Sequence, residues 1–83
     1  MNLQESIAEA NISVVPNPNN GIFSLNGLNE TGILQLYNMN GQLLKEMSVE
    51  PNQLIDIKGT PKGTYLISIT LSKGNKTLRL ITI

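Results

Sequence analysis

Carboxylates are the first candidates for chemistry in this sequence. Asp56 could approach Glu46 or Glu50 if their strands were neighbours, and two facing carboxyl groups are what glycoside hydrolysis requires. One group would act as the acid and the other as base or nucleophile, with the sugar held in a deep cleft between them. A chain of 83 residues can hardly build such a cleft. We therefore expect a protein that is not an enzyme.

Nucleophilic and metal chemistry have weaker signals. The sequence contains serines but no His and no Cys, so a hydroxyl nucleophile has no imidazole base and zinc has none of its usual ligands. The loop 17–20 offers amide and carbonyl oxygens to a calcium ion, but it contains no Asp or Glu. Turn formation explains its asparagines better, because Asn side chains bond to the backbone of their own turn. We predict no metal and no cofactor.

Charge is balanced overall but divided along the chain. Residues 1–56 hold all six acids and only Lys45, about minus five, whereas residues 57–83 hold five bases and no acid, about plus five. One interpretation is cross-strand pairing of acidic and basic strands, and the other is a basic edge that meets an anionic partner. Nucleic acid is not the expected partner, because neither a dense basic run nor an aromatic stacking platform is present.

No segment of this sequence predicts a membrane span or a signal peptide. No stretch approaches the roughly 18 apolar residues of a membrane helix, and residues 1–10 lack a basic start followed by an apolar run. If the protein is exported, we expect its export signal to lie elsewhere in a longer chain or in the fold itself.

Composition favours strands over helices. Ten Ile, six Thr and three Val stand against two Ala, while eleven Asn, seven Gly and four Pro supply turns. The clearest strand follows the turn 61–64, where large apolar residues recur at every second position. They are Tyr65, Ile67, Ile69 and Leu71. Because successive side chains of a strand point to opposite faces, these four form one ridge that another sheet must cover.

Six further segments show strand composition between turn signals. The seven predicted strands are 12–15, 22–25, 33–37, 42–49, 54–57, 64–71 and 76–83. This spacing predicts an all-β fold, an immunoglobulin-like antiparallel β-sandwich of about seven short strands, with a flattened barrel as the alternative.

Three local details can be predicted at the turns. Gly41 should take a left-handed or bulge conformation at the end of the reversal 38–41. Adjacent Leu43 and Leu44 permit either register of the return strand, and we expect Leu44 to point inward. Gly74 and Asn75 should form the tip of a two-residue hairpin that leads into the last strand.

Residues 14–83 resemble the type A C-terminal sorting domain of the bacterial type IX (Por) secretion system. The motif residues that carry the resemblance are Pro16, Asn17, Pro18, Gly21, Tyr37, Asn38, Gly41, Pro61, Gly63 and Tyr65. They are accompanied by Phe23, by the run 34–42 and by Lys76 before a closing apolar strand. The sequence departs from the pattern at Val15, where Tyr is common, and at Asn38, where Asp is frequent. Both departures keep turn and strand chemistry.

The resemblance implies a two-part organisation. Residues 12–83 would be the sorting domain of a larger exported protein, and residues 1–11 a flexible linker in which a sortase cuts, within 5–11. The partners implied are a fused N-terminal passenger, the outer-membrane translocon with its shuttle proteins, and the sortase. The product would pass through the periplasm and then remain at the outer membrane and cell surface or be secreted.

The closing strand 76–83 is the hypothetical recognition surface. It could leave an edge or an apolar face that pairs with the carrier by strand addition, while basic side chains orient the encounter. The residues of this hypothesis are Lys73, Lys76, Arg79, Leu80, Ile81, Thr82 and Ile83. The alternative is that the strand only completes the sheet.

Two other functions fit a small β-sandwich. One is an accessory glycan-binding or adhesive module, and the other is a spacer between domains. Carbohydrate modules usually present exposed aromatic rings, whereas this sequence has only Tyr37, Tyr65 and Phe23, of which the last two are predicted to be internal. The glycan-binding interpretation is therefore the weaker one.

Overall fold

A computed structural model describes residues 12–83, which form seven strands and no helix. The strands are β1 (Ser13–Val15), β2 (Ile22–Asn26), β3 (Gly32–Tyr37), β4 (Leu43–Val49), β5 (Ile55–Asp56), β6 (Gly63–Leu71) and β7 (Gly74–Thr82). Each coincides with a predicted strand, so the predicted all-β sandwich of seven strands is confirmed. The predicted linker 1–11 lies outside the described residues.

The strands form two antiparallel sheets. The smaller has the order β1-β2-β5 and the larger the order β4-β3-β6-β7. Hairpins β1–β2, β3–β4 and β6–β7 join strands within a sheet. After β4 the chain crosses to the smaller sheet, where β5 pairs with β2. The longest ladder joins β6 to β7 over nine residue pairs, from Gly63 opposite Thr82 to Leu71 opposite Gly74. Strand β7 therefore forms one edge of the larger sheet.

The core lies between the two sheets. In β6, burial alternates as predicted: Tyr65, Ile67 and Ile69 are buried, and Leu71 is half-buried against the same cluster. The smaller sheet covers this ridge with Phe23 and other apolar side chains. Those buried from the smaller sheet and its loops are Ile12, Val14, Phe23, Leu25, Leu28, Ile55 and Ile57. At about 1.5 to 3 kcal/mol for each large side chain removed from water, this shared cluster holds the two layers together.

The predicted orientation of Leu44 is wrong. Leu44 is 39% exposed and Leu43 is 46% exposed, while Met47 and Val49 of β4 face the core. The register of β3 against β4 shifts between Leu36 and Tyr37, and this irregularity leaves both leucines outside the sandwich. Two adjacent leucines carry no period-2 signal, so the sequence alone could not choose between the registers.

The predicted tip of the last hairpin is also wrong. Leu71 pairs with Gly74 and Thr70 with Asn75, so the two-residue loop consists of Ser72 and Lys73. The predicted tip would have set Lys73 directly opposite Lys76, and like charges in that position are destabilising. The observed register avoids this pair.

Candidate recognition surface

The loop after β1 is built by its own asparagine. Strand β1 ends at Val15, because prolines at 16 and 18 cannot donate to a ladder, and the Val15-Pro16 and Asn17-Pro18 peptide bonds are cis. The side chain of Asn19 is 3% exposed. Its Nδ2 donates to the carbonyl of Pro16 at 2.9 Å, and its Oδ1 accepts from the N–H of Gly21 at 2.8 Å. The predicted turn role is confirmed for Asn19.

The same loop covers part of the outer edge of β7. Asn17 Nδ2 donates to the carbonyl of Arg79 at 3.1 Å, and Asn17 Oδ1 accepts from the N–H of Ile81 at 3.0 Å. The backbone of Asn19 continues the pattern: its N–H donates to Ile81 at 2.9 Å and its carbonyl accepts from Ile83 at 2.8 Å. One side-chain amide and one peptide unit thus replace a neighbouring strand. We call residues 79–83 the closed half-edge.

The segment around Gly63 holds the same part of β7 from the other side. The N–H of Gly63 donates to Thr82 Oγ1 at 2.9 Å, and the Tyr65 hydroxyl donates to the carbonyl of Pro61. Gly63 has φ of 150°, a backbone conformation that residues with a side chain rarely adopt. Two motif segments that are about forty residues apart in the sequence therefore meet on residues 79–83.

Gly21 is fixed by both its backbone and its surroundings. Its φ is 105°, and a Cβ atom placed on it would lie 3.0 Å from Lys58 Cγ and 3.3 Å from Lys58 Cα. The carbonyl of Gly21 accepts from the N–H of Ile57 at 2.7 Å. Glycine at this position lets the loop return to β2 while lying against the backbone that follows β5.

The third motif segment forms a closed reversal between β3 and β4. Asn38 Oδ1 accepts from the N–H of Asn40 at 2.9 Å and of Gln42 at 3.0 Å. The N–H of Gly41 donates to the Asn38 carbonyl at 3.0 Å, and Gly41 has φ of 86°, so its predicted left-handed conformation is confirmed. Asn therefore supplies the side-chain acceptor for which an Asp would also serve.

A cross-strand row connects this reversal to β7. Tyr37 lies opposite Leu66, and Leu66 lies opposite Arg79, on the face of the larger sheet turned away from the core. Tyr37 is half-buried, and its hydroxyl donates to Gln35 Oε1 at 3.0 Å. The basic side chain of Arg79 therefore stands at the end of a row that begins with the motif tyrosine.

The predicted recognition residues fall into two groups. Lys73, Arg79 and Ile83 are exposed, and Lys76 and Ile81 are half-buried. Leu80 is fully buried and Thr82 is 7% exposed, because both point to the core side of β7. The side chains of Leu80 and Thr82 hold the folded domain together and offer no surface to a partner. Five of the predicted seven residues remain as contact candidates.

The carboxylates considered for a catalytic pair, Glu46, Glu50 and Asp56, are all exposed and do not line a cleft. Glu46 lies on β4 of the larger sheet and Asp56 on β5 of the smaller sheet, and both are exposed. Their hydrogen bonds are to neutral donors: Glu46 accepts from Gln35 and Asp56 from the N–H of Lys58. Within residues 12–83, no hydrogen bond joins a carboxylate to a Lys or Arg side chain, and no group of three acidic residues could hold a metal ion. The basic residues of β7 are thus not used in such bonds.

Asn19 is the residue that sequence reasoning missed. The sequence indicates only a turn role for Asn19, yet this residue both shapes its own loop and extends the larger sheet by one peptide unit. The local turn was readable, because an Asn two residues before a Gly often accepts that residue's N–H. Its pairing with Thr82 joins residues 63 positions apart, which no local pattern reports.

Comparison with known proteins identifies the family. A model of the secretion system C-terminal sorting domain matches residues 13–83, nearly the whole described region. The chain belongs to this family of type IX secretion sorting domains. No curated protein matches the chain. Among the described residues of this sorting domain, none lies in a helix of the length and apolar character needed to cross a membrane.

Proposed function

We propose that this sorting domain directs a fused N-terminal passenger through the type IX machinery by presenting the exposed side of β7 to the outer-membrane translocon and its shuttle proteins. One observation supports this above all: family-motif segments from distant parts of the sequence converge on residues 79–83. Hydrogen bonds from two motif segments hold this edge strand in one conformation. A partner can recognise such a surface without first ordering it.

The contact residues of the proposal are the five that remain accessible. Lys73 and Arg79 are exposed cations, Lys76 is a half-buried one, and Ile81 and Ile83 are apolar. Cations on the surface raise the rate of encounter with an acidic partner, and an apolar side chain that becomes buried on contact adds affinity. The passenger would cross the periplasm and then stay at the cell surface or be released.

Residues 1–11 have a separate role in the proposal. They would be the linker that the sortase enters, and cleavage within 5–11 would free the passenger from the sandwich. A polar segment outside a folded domain can be drawn into a protease site without unfolding that domain. Replacing 5–11 with a Gly-Ser linker of equal length should leave export intact and abolish cleavage, which the mass of the exported passenger would report. Cleavage within the Gly-Ser replacement as in the parent would contradict this role.

An export assay tests the main proposal. A fluorescent passenger is joined to residues 1–83 behind an inner-membrane signal peptide and expressed in a bacterium that has the type IX system and in a strain that lacks its translocon. Fluorescence outside the cells should appear only in the first strain and only with residues 12–83 present. Export that does not depend on these residues would refute the proposal.

Surface variants test the contact residues without disturbing the core. The double variant Arg79→Glu, Ile83→Asp should reduce export, whereas Lys45→Glu on β4, at the other edge of the same sheet, should not. Melting temperatures of both purified chains serve as the control for folding. Equal export of both variants would remove β7 from the proposal and leave the sorting function itself unexplained.

The glycan-binding alternative receives no support from the structure. Phe23 is 1% exposed and Tyr65 is 6% exposed, and the sequence has no Trp. Tyr37 is the remaining aromatic residue of the chain, and its hydroxyl is already bonded to Gln35. A single half-buried ring does not make a stacking platform for sugars.

A further inference from the structure

The outer edge of β7 changes character along its length. Hydrogen bonds to Asn17 and Asn19 use the carbonyls of Arg79 and Ile81 and the N–H groups of Ile81 and Ile83. Outward-facing backbone groups recur at every second residue of an antiparallel edge strand. The same edge must therefore carry the N–H and carbonyl groups of Asn75 and Thr77 and the N–H of Arg79. Strand β6 pairs with the inner side of this part of β7, and no strand of the described chain pairs with its outer side. We call residues 74–78, together with the N–H of Arg79, the open half-edge.

Cationic side chains lie at both ends of the open half-edge, and one carboxylate, that of Glu30, accepts from Ser72 in the hairpin loop at 3.2 Å. Lys73 is in the hairpin loop at one end, and Arg79 is exposed at the other. Lys76 lies on the core-side face of β7 and Arg79 on the opposite face, because an odd spacing in a strand places side chains on opposite faces. A strand added here would meet a cation on each of its two faces.

The other sheet edges are less suited to pair with an added strand. Strands β1 and β5 have three and two residues, too short for a useful ladder. Strand β4 is irregular where it meets Tyr37, and it places Lys45 at a core-facing position next to its exposed edge. Irregular ladders and inward charges are the devices by which proteins discourage pairing at an edge. Among the described residues, the open half-edge is thus the sheet edge that is both regular and long enough to pair with another strand.

From these observations we propose that the open half-edge is a docking site for one extended, acidic segment of a partner protein, which adds to the larger sheet as a fifth strand. The inference rests on the proposed function, since it names the chemistry of the partner that the sorting domain meets. Backbone groups of Asn75, Thr77 and Arg79 supply the ladder, and the three cations select carboxylates on both faces of the incoming strand.

The closed half-edge sets the limit of this site. Asn17 already occupies the carbonyl of Arg79 and the N–H of Ile81, so the added strand must end opposite Arg79. A second copy of β7 is a poor occupant, because its own cations would face those of the first copy, and like charges in juxtaposition oppose pairing. The occupant is therefore acidic and short.

Titration with a synthetic strand tests the proposal on the whole 83-residue chain. The probe is a fluorescein-labelled peptide of about ten residues made of Glu, Thr and Val, long enough to span the ladder. One control peptide has the same sequence with N-methyl groups on every amide, so that neither of its edges can donate to the ladder, and another has Lys in place of Glu. We expect saturable binding of the first peptide, weakened by salt, and slower hydrogen exchange at the amides of Asn75, Thr77 and Arg79.

Charge variants of the protein complete the test. The double variant Lys76→Glu, Arg79→Glu should weaken binding by about tenfold or more, because two attractive pairs become repulsive. The matched variant Lys45→Glu, on the opposite edge of the same sheet, should bind as the parent does. Equal binding by the N-methylated peptide, protection confined to other strands, or no binding of the acidic peptide would each overturn the inference.

The two proposals can fail separately. If the peptide does not bind but export still depends on residues 12–83, the inference falls and the proposed function stands. If export does not depend on those residues, the proposed function falls whatever the peptide does.

Discussion

The two halves of β7 differ in what pairs with the outer edge of their backbone. Along residues 79–83 the loop of Asn17 and Asn19 pairs with the outer edge, and Gly63 and Thr82 bind on the inner side. Along residues 74–78 the outer edge has no such partner in the described chain, and the flanking side chains are cations. The difference indicates that motif residues serve to fix one half, and that the other half is left to interact.

The largest expected difference between the halves is in core packing. Leu80→Ala removes a fully buried side chain beside Tyr65 and should lower the free energy of unfolding by about 2 to 5 kcal/mol. Leu78→Ala, in the open half, removes a half-buried side chain and should cost less than about 2 kcal/mol. Urea unfolding followed by circular dichroism measures both values. Equal losses would contradict the claim that the closed half carries more of the fold.

The next largest expected loss of stability comes from a change to the backbone conformation at Gly63. Gly63→Val forces a β-branched residue to adopt φ of 150° and should destabilise the domain by about 1 to 3 kcal/mol. Thr64→Val changes the next residue, which is exposed and lies in the same strand, and should alter stability by less than about 0.5 kcal/mol. Thermal unfolding compares the two. An unchanged melting temperature for the Gly63 variant would mean that its conformation can relax without loss.

Two threonines of β7, one in each half, allow the same substitution to be compared. Thr82→Val keeps the shape of the side chain but removes the acceptor of the Gly63 N–H, at a cost of about 1 kcal/mol for a half-buried donor left unpaired. Thr77→Val makes the same change at an exposed position of the open half and should be nearly neutral. If both variants unfold at the same urea concentration, the bond to Thr82 contributes nothing net.

The sequence predicted the layers well because alternation is a local signal. Tyr65, Ile67 and Ile69 recur at every second position, so their shared face and its burial followed from one strand. The hairpin tip was harder. A loop at Ser72 and Lys73 and a loop at Gly74 and Asn75 put the same residues on the same faces, so alternation could not distinguish the two registers. Repulsion between Lys73 and Lys76 favours the observed one.

The candidate site was less predictable than the fold. The sequence predicts the closing strand. However, an alternating pattern shows only on which face of the sheet each residue lies, and it does not show what pairs with the edge of the strand. The contacts of Asn17 with Arg79 and Ile81 span 62 and 64 positions. Two prolines indicate a loop that interrupts the ladder of β1. Only the folded chain reveals that the side-chain amide of Asn17 and the backbone of Asn19 pair with β7.

The smallest expected effect is also the most specific to the closed half-edge. Asn17→Ala removes both side-chain bonds to β7 but leaves the backbone bonds of Asn19, so we expect a loss of only about 0.5 to 1.5 kcal/mol. The change should be local: the amide of Ile81 loses its acceptor and should exchange faster, whereas the amide of Ile83 keeps the carbonyl of Asn19. Native-state hydrogen exchange measures the two amides in one experiment.

The neighbouring Asn20 provides the control for that experiment. Asn20 is exposed in the same loop, and Asn20→Ala should leave both amides unchanged. Because the Asn17 variant lengthens the unpaired edge beyond Arg79, it should also tolerate an added strand two residues longer than the parent accepts. If Ile81 exchanged at the parent rate in the Asn17 variant, the bond to Asn17 Oδ1 would not be what protects this amide. The division of β7 into a closed and an open half would then reflect the proline loop's position alone, and the asparagine would have no part in limiting the edge.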